Sequence, residues 1–318
     1  MQNINAFKIE VNGKILDYRL GQDLDLEKVR KFFERKYKVV KIWSEGRHVL
    51  GYLEKNNREL FLKLATSEGI GAVTKIEHDW NDAFNNVNPR AKSPFWVPIN
   101  YDSGLFDNNL FYLITDKFEG KLLSNGPSDT KPLKVLPISL EDVIEFSELI
   151  QSLEIKNLNP YSQAIKINHQ DWFVSKTKTW FESIPKNIQK EYKLHELLKI
   201  VKSGVWRLEA KPRHGDFTPW HLIKLDDRNL GLIDGEHAMG SSVEYYDIGY
   251  FIQRVFSVLR NPELAEYIVS LLVGRKYDLA KLKVILSARA IGGFLDESLS
   301  QNPDYLQADK FRNWVVSL

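Results

Sequence analysis

Two acidic residues on neighbouring turns stand out by type and setting. Asp216 lies in Arg213-His214-Gly215-Asp216-Phe217-Thr218-Pro219-Trp220-His221, and thirteen residues after His221 comes Asp234, in Ile233-Asp234-Gly235-Glu236. Both are flanked by apolar, strand-like residues. That arrangement suits a site that grips a metal-bound phosphate and a substrate hydroxyl. Phosphoryl transfer needs little covalent help: it needs the phosphate held in line, its charge neutralised and the attacking hydroxyl aimed. A loop aspartate can accept the hydroxyl proton, and Asp216 fits. A strand-end carboxylate can hold a hard cation through oxygen, and Asp234 fits. A strand lysine can hold phosphates. Lys63 fits, in the apolar run Leu60-Phe61-Leu62-Lys63-Leu64, an unusual setting for a solvated lysine.

Something must place these groups together. Residues 7–20 alternate around Asn12-Gly13, which predicts a β-hairpin, and 24–37 has the spacing of an amphipathic helix. Strands are expected at 38–43, 48–54, 59–65, 95–99 and 110–114, with a helix at 74–85. Beyond a polar connector at 115–120 the pattern turns helical. A capping signal at Ser139-Leu140-Glu141-Asp142 opens the first of these helices. Others are expected at 171–183, 186–201, 243–259, 262–273, 279–299 and 304–316. Short strands at 205–210, 221–225 and 230–233 surround the two aspartates. The expected organisation is a β-rich part over 1–116 and a mostly helical part over 117–318.

Bulk properties narrow the function classes. The 318 residues carry 44 Lys/Arg and 42 Asp/Glu, a net charge of +2, and no basic run dense enough for a nucleic-acid or membrane patch. There is no cysteine, which excludes disulfides, thiolate metal sites and thiol catalysis. The first ten residues lack the apolar core of a signal peptide, and no apolar run approaches membrane-spanning length. A cytoplasmic protein acting on a small molecule, with neither nucleic acid nor membrane as partner, is expected. No Gly-x-Ser-x-Gly elbow points to a hydrolase, and no Asp-Phe-Gly or Ala-Pro-Glu sequence points to a protein kinase. The oligomeric state is not legible.

His214-Gly215-Asp216 followed by His221, then Ile233-Asp234-Gly235-Glu236, resembles the aminoglycoside phosphotransferase and choline kinase family, from about Trp43 to Phe251 in order of elements. The resemblance implies an α+β, bilobed, protein-kinase-like fold with a small antiparallel-sheet lobe for nucleotide and a larger helical lobe for catalysis and substrate. It implies an ATP- or GTP-dependent kinase of small-molecule hydroxyls, such as a sugar, amino alcohol or aminosugar. The alternative is a catalytically weak nucleotide-binding or regulatory module. By the resemblance, Asp216 is the base, Asp234 the metal ligand, and Lys63 the phosphate-binding lysine fixed by Glu77, with Glu68 second. Gly46, in Ser44-Glu45-Gly46-Arg47, belongs to the turn over the phosphates. Thr115 and Lys117 lie on the connector beside the base. His214, Glu236 and Asp247 support the loops.

The chain departs from the family at His221, where the pattern has asparagine. An imidazole suits manganese, zinc or iron better than magnesium. The resemblance implies magnesium, with manganese as the alternative that His221 raises. Residues 117–318 hold 27 Lys/Arg and 26 Asp/Glu, without the acidic excess that a polycationic aminoglycoside calls for. Arg289, Asp296 and Glu297 fall where this family often builds its substrate pocket. Trp172, Trp180, Trp220, Tyr245 and Tyr246 are expected to pack the core rather than cage a quaternary amine.

Overall fold

Alternating apolar residues build the first half of the chain into hairpins. The computed structural model describes residues 5–11, 13–127, 134–155, 158 and 168–318. Strands β1 (Lys8–Val11) and β2 (Lys14–Asp17) pair antiparallel; Asn12, in the expected turn, lies outside the described residues. Helix α1 (Leu26–Phe33) starts at Asp25, whose carboxylate accepts the amides of Glu27 and Lys28. Strands β3 (Lys38–Glu45), β4 (His48–Lys55) and β5 (Arg58–Ala65) follow as a meander. The β4–β5 turn places Asn56 and Asn57 at φ 50° and 60°, the left-handed geometry of a two-residue hairpin loop.

Helix α2 (Glu68–Val87) then leads to β6 (Phe95–Trp96), β7 (Asn100–Phe106) and β8 (Leu110–Asp116). A five-stranded antiparallel sheet runs β3-β4-β5-β8-β7. Two expectations need correction. α2 begins six residues earlier than 74, because Gly69 and Gly71 allow close backbone approach; a Cβ on Gly69 would meet Asp17 O at 2.7 Å. The strand expected at 95–99 shrinks to two residues, and β7 forms where Asn-Tyr-Asp-Ser-Gly shows no alternation.

The remaining chain is mostly helical. Its elements are β9 (Lys121–Leu122), α3 (Val135–Ile138), α4 (Leu140–Ser152), α5 (His169–Ser183), α6 (Lys186–Glu191), α7 (Leu194–Gly204), β10 (Ala210–Arg213), β11 (Leu222–Lys224), β12 (Leu230–Leu232), β13 (Met239–Val243), α8 (Tyr246–Gln253), α9 (Pro262–Gly274), α10 (Leu279–Leu299) and α11 (Tyr305–Ser317). Ser139 precedes α4 but its hydroxyl makes no capping bond, contrary to the expected capping box. The helix expected over 186–201 breaks at Lys193, which takes φ 49°. The strand expected at 205–210 forms later, as β10, and β13 occupies the start of the helix expected at 243.

Among the described residues no helix is long and apolar enough to cross a membrane. β6 leaves the first half to pair parallel with β12, in a sheet ordered β6-β12-β11-β9. The buried apolar residues also cross: Ala6, Ile9, Tyr18, Ile76, Trp80 and Phe84 join the core built by the C-terminal helices, while Val29, Phe33, Leu62 and Ile114 belong to a separate core in the five-stranded sheet.

Candidate active site

The cleft between the five-stranded sheet and the β11–β12 hairpin gathers the residues singled out from sequence. Asp216 and His221 sit on the loop between β10 and β11, and Asp234 lies two residues past the end of β12. Lys63, in register with Leu50 and Leu113 in the middle of the sheet, reaches across to them. The cleft encloses about 490 Å³. Leu50, Tyr52 and Phe61 line one side and Ile223 and Ile233 the other, an apolar slot suited to a flat ring.

Lys63 is nearly buried and surrounded by carboxylates. Its Nζ donates to Glu77 Oε2 at 2.7 Å, lies 2.9 Å from Glu236 Oε1 and contacts Asp234 directly. Burial alone would lower its pKa; Asp234, Glu236 and Glu77 outweigh burial and hold it well above the usual lysine value. Burial pushes Glu77 up to about 7 despite Lys63. Burial also pushes Asp234 up, but Lys63 and His221 more than offset this and hold its carboxyl well below the usual range. Glu68, the second candidate partner, is exposed at the start of α2.

Glu236 has only 1% of its surface exposed and collects more partners than its sequence suggests. Arg47 Nη2 donates to it at 2.5 Å, His48 Nε2 lies at 3.1 Å and Thr74 Oγ1 donates at 3.2 Å. Arg47 also donates to Tyr18 O at 2.8 Å, so the turn carrying Gly46 (φ 58°) is fastened across the cleft. Sequence reasoning missed Arg47, His48 and Thr74. The only available signal was that Arg47 and His48 follow Gly46 directly.

The loop with Asp216 is held by its backbone. Asp247 accepts the amides of His214 at 2.7 Å and Gly215 at 2.8 Å, one on each oxygen. Burial raises Asp247 to about 6, against these two bonds. Gly215 takes φ 88°, and a Cβ there would sit 2.1 Å from His237 O, so only glycine fits this turn. His214 is fully buried, its ring edge-on to Trp80 at 5.8 Å; burial holds it neutral, down to about 3. Asp234 itself is left-handed, φ 68°, a strained placement for a non-glycine residue.

His221 stands between the two aspartates. Its Nδ1 donates to Asp216 O at 3.0 Å, which leaves Nε2 facing Asp234 Oδ2 at 3.3 Å. Burial lowers its pKa, but Asp216 and Asp234 outweigh burial and raise it above 6.5. Asp216, His221 and Asp234 present ligand atoms within 4.8 Å of one another. Two carboxylates and an imidazole are a donor set for a divalent cation, with the nitrogen favouring manganese over magnesium.

The connector forms the rear of the cleft. Thr115 is buried in β8, and the amides of Asp116 and Lys117 donate to Ile99 O at 3.1 Å and Glu59 O at 3.3 Å. Lys117 turns its ammonium to Glu59 at 2.6 Å. Of the late-helix candidates, Arg289 and Asp296 line a second cavity behind Gly215, whereas Glu297 accepts the amide of Asp304 at 2.6 Å. The five aromatics do not converge. Trp172, Trp180, Trp220 and Tyr245 pack on the core, Tyr245 against Tyr277, and Trp180 and Tyr246 reach the second cavity.

No family model matches this sequence, and no curated protein sequence matches it. Solved structures do match over nearly the whole chain. Aminoglycoside phosphotransferase APH(4)-Ia aligns with a TM-score of 0.68 and 15% identity, over 92% of this chain and 99% of that one. The GDP and kanamycin complex of APH(2")-IIia aligns at 0.58 and 13%, over 92% and 98%. Choline kinase LicA from Streptococcus pneumoniae aligns at 0.55 and 14%, over 92% and 99%. The chain has the bilobed, protein-kinase-like fold of these small-molecule kinases, as the resemblance in its motifs implies.

Proposed function

We propose that the protein is a nucleotide-dependent phosphotransferase that moves the γ-phosphoryl group of ATP or GTP to a hydroxyl of a small molecule. The observation that carries this reading is the convergence on one cleft of Lys63, clamped by Glu77, with Asp216, His221 and Asp234 opposite. The slot between Leu50 and Ile233 takes the base, with Thr115 and Lys117 bounding its rear, and Lys63 and the Gly46 turn take the phosphates. A divalent cation held by Asp234 and His221 neutralises phosphate charge when bound. Asp216 accepts the proton of the acceptor hydroxyl as that oxygen attacks the γ-phosphorus and the bond to the β-phosphate oxygen breaks.

Thermal shift with ATP and Mg²⁺ or Mn²⁺, followed by ADP release over a panel of hydroxyl compounds, tests the reading. Asp216→Ala is expected to keep the nucleotide shift and lose about 100-fold or more in turnover. If no nucleoside triphosphate shifts the wild-type melting temperature with either metal, the reading fails. One feature favours a second reading, a nucleotide-binding module with weak turnover. Lys63 already satisfies three carboxylates, and a phosphate must displace one of them. Measurable nucleotide binding with no ADP release from any acceptor would support that module.

A further inference from the structure

Behind Gly215 and His237, next to Asp216, lies a second cavity of about 120 Å³. Its wall is cationic. Arg213, Arg254 and Arg289 all border it, together with Lys176. Arg254 pairs with Asp296 at 3.0 Å, but neither Arg213 nor Arg289 forms an ion pair among the described residues. The Nε atoms of Arg213, Arg254 and Arg289 are all buried without a hydrogen-bond partner among those residues. Three guanidinium groups bordering one small cavity, two of them outside any ion pair among the described residues, suit an acceptor-rich ligand.

The guanidinium planes are set by stacking. Arg213 lies 4.0 Å from the Tyr246 ring centroid, Arg289 3.7 Å from that of Tyr250 and Arg254 4.6 Å from the same ring. Stacking orients the planes; Arg254 also donates to Tyr250 Oη at 2.5 Å and Arg289 to Tyr246 Oη at 3.3 Å, and the remaining N–H groups are left for an anion. It also means that aromatic faces which could hold an alkylammonium already hold protein cations. Lys176 donates to Ala6 O at 2.7 Å, and its pKa is lowered to about 8, chiefly by burial and then by Arg213. Asp216 is close enough for its charge to act on Arg254, Tyr250 and His237, so the cavity adjoins the reacting centre.

Building on the phosphotransferase reading, we infer that the acceptor is a small alcohol bearing a carboxylate or phosphate, whose anionic group sits among Arg213, Arg254 and Arg289 while its hydroxyl faces Asp216. Water occupies roughly 30 Å³ in the liquid, so the enclosed part suits a group of a few heavy atoms. A polycation would meet the cationic wall. The hydroxyl oxygen bonds to the γ-phosphorus of the nucleoside triphosphate, its proton passes to Asp216, and the nucleoside diphosphate leaves.

The full chain is assayed with ATP and Mn²⁺ or Mg²⁺ on glycerate, glycerol phosphate, glycerol and serinol. Glycerate or glycerol phosphate is expected to exceed glycerol and serinol about 100-fold in kcat/KM, and which of the two leads separates carboxylate from phosphate. Arg289→Gln is expected to erode that preference about 10-fold or more through KM, with the ATP-induced thermal shift unchanged; Arg254→Gln serves if the first variant does not fold. Equal or better turnover of glycerol or serinol overturns the inference. If none of the four turns over, calorimetry with glycerate and inorganic phosphate decides: binding lost in the arginine variant supports the inference, and no binding overturns it. The nucleotide shift reports separately on the kinase reading.

Discussion

Arg47, on the turn between β3 and β4, donates to Glu236 at 2.5 Å across the cleft, tying the sheet to the loop that follows Asp234. The Glu236 end is buried and the Arg47 end is 29% exposed, so the pair is shielded on one side only. A double-mutant cycle of Arg47→Ala and Glu236→Gln is expected to give a coupling energy of about 1–3 kcal/mol in urea unfolding. Additive losses would show that the two residues act independently.

Lys63 presents a different balance. Removing it leaves Glu77, Asp234 and Glu236 facing one another in a buried cluster. Lys63→Ala is therefore expected to destabilise the free protein by about 3–5 kcal/mol as well as abolish turnover. Thermal unfolding without nucleotide measures the first effect. A variant as stable as wild type would mean that the cluster relaxes or takes up a proton, and would point to Glu77, already raised to about 7.

These two cases mark what the sequence conveys. That Asp216, Asp234 and Lys63 come together is legible from residue type and local setting. Arg47, His48 and Thr74 are not, because their role exists only once the hairpin and α2 are folded onto the loop holding Glu236. Most helices and the sheet meander follow from periodicity. The start of α2 was hidden by Gly69 and Gly71, whose propensity cost is outweighed by close packing. The β6-β12-β11-β9 sheet joins short strands far apart in the chain, and no local pattern announces that pairing. Arg213 sat unremarked beside His214, since only the cavity gives it meaning.

His221 sets the metal question. Its Nε2 faces Asp234 with Nδ1 committed to Asp216 O. His221→Asn is expected to retain or raise magnesium-supported turnover and to lower the manganese-to-magnesium activity ratio about 10-fold. A large loss with both metals, in a variant that still folds, would show a requirement for the imidazole itself.

Acid stability tests Asp247. His214 and His237, held down at about 3 and 4, stay neutral in the fold while unfolded histidines take up protons below 6.5, so they cost stability as pH falls. Asp247 works in the opposite sense. Its folded value of about 6 exceeds the ordinary 3.8, so the native state binds its proton first and gains stability as pH falls from 6 toward 3.8. Asp247→Asn removes that gain. Relative to wild type the variant is expected to lose about a further 1.4 kcal/mol per pH unit across this window, seen in urea melts at pH 6 and 4.5. Parallel pH profiles would count against a raised Asp247.

The N-terminal hairpin and one face of α2 lie inside the core of the C-terminal helices, with Ala6, Ile9, Tyr18, Ile76, Trp80 and Phe84 among its members. A fragment cut after residue 116 would carry that apolar face uncovered, and the complementary fragment would lose the side chains that fill it. Each piece keeps a smaller cluster of its own, around Leu62 in the first and Ile285 in the second, but neither retains the shared core whole. The two walls of the cleft share that core, so unfolding of either part is expected to disrupt the cleft and the arginine-lined cavity together.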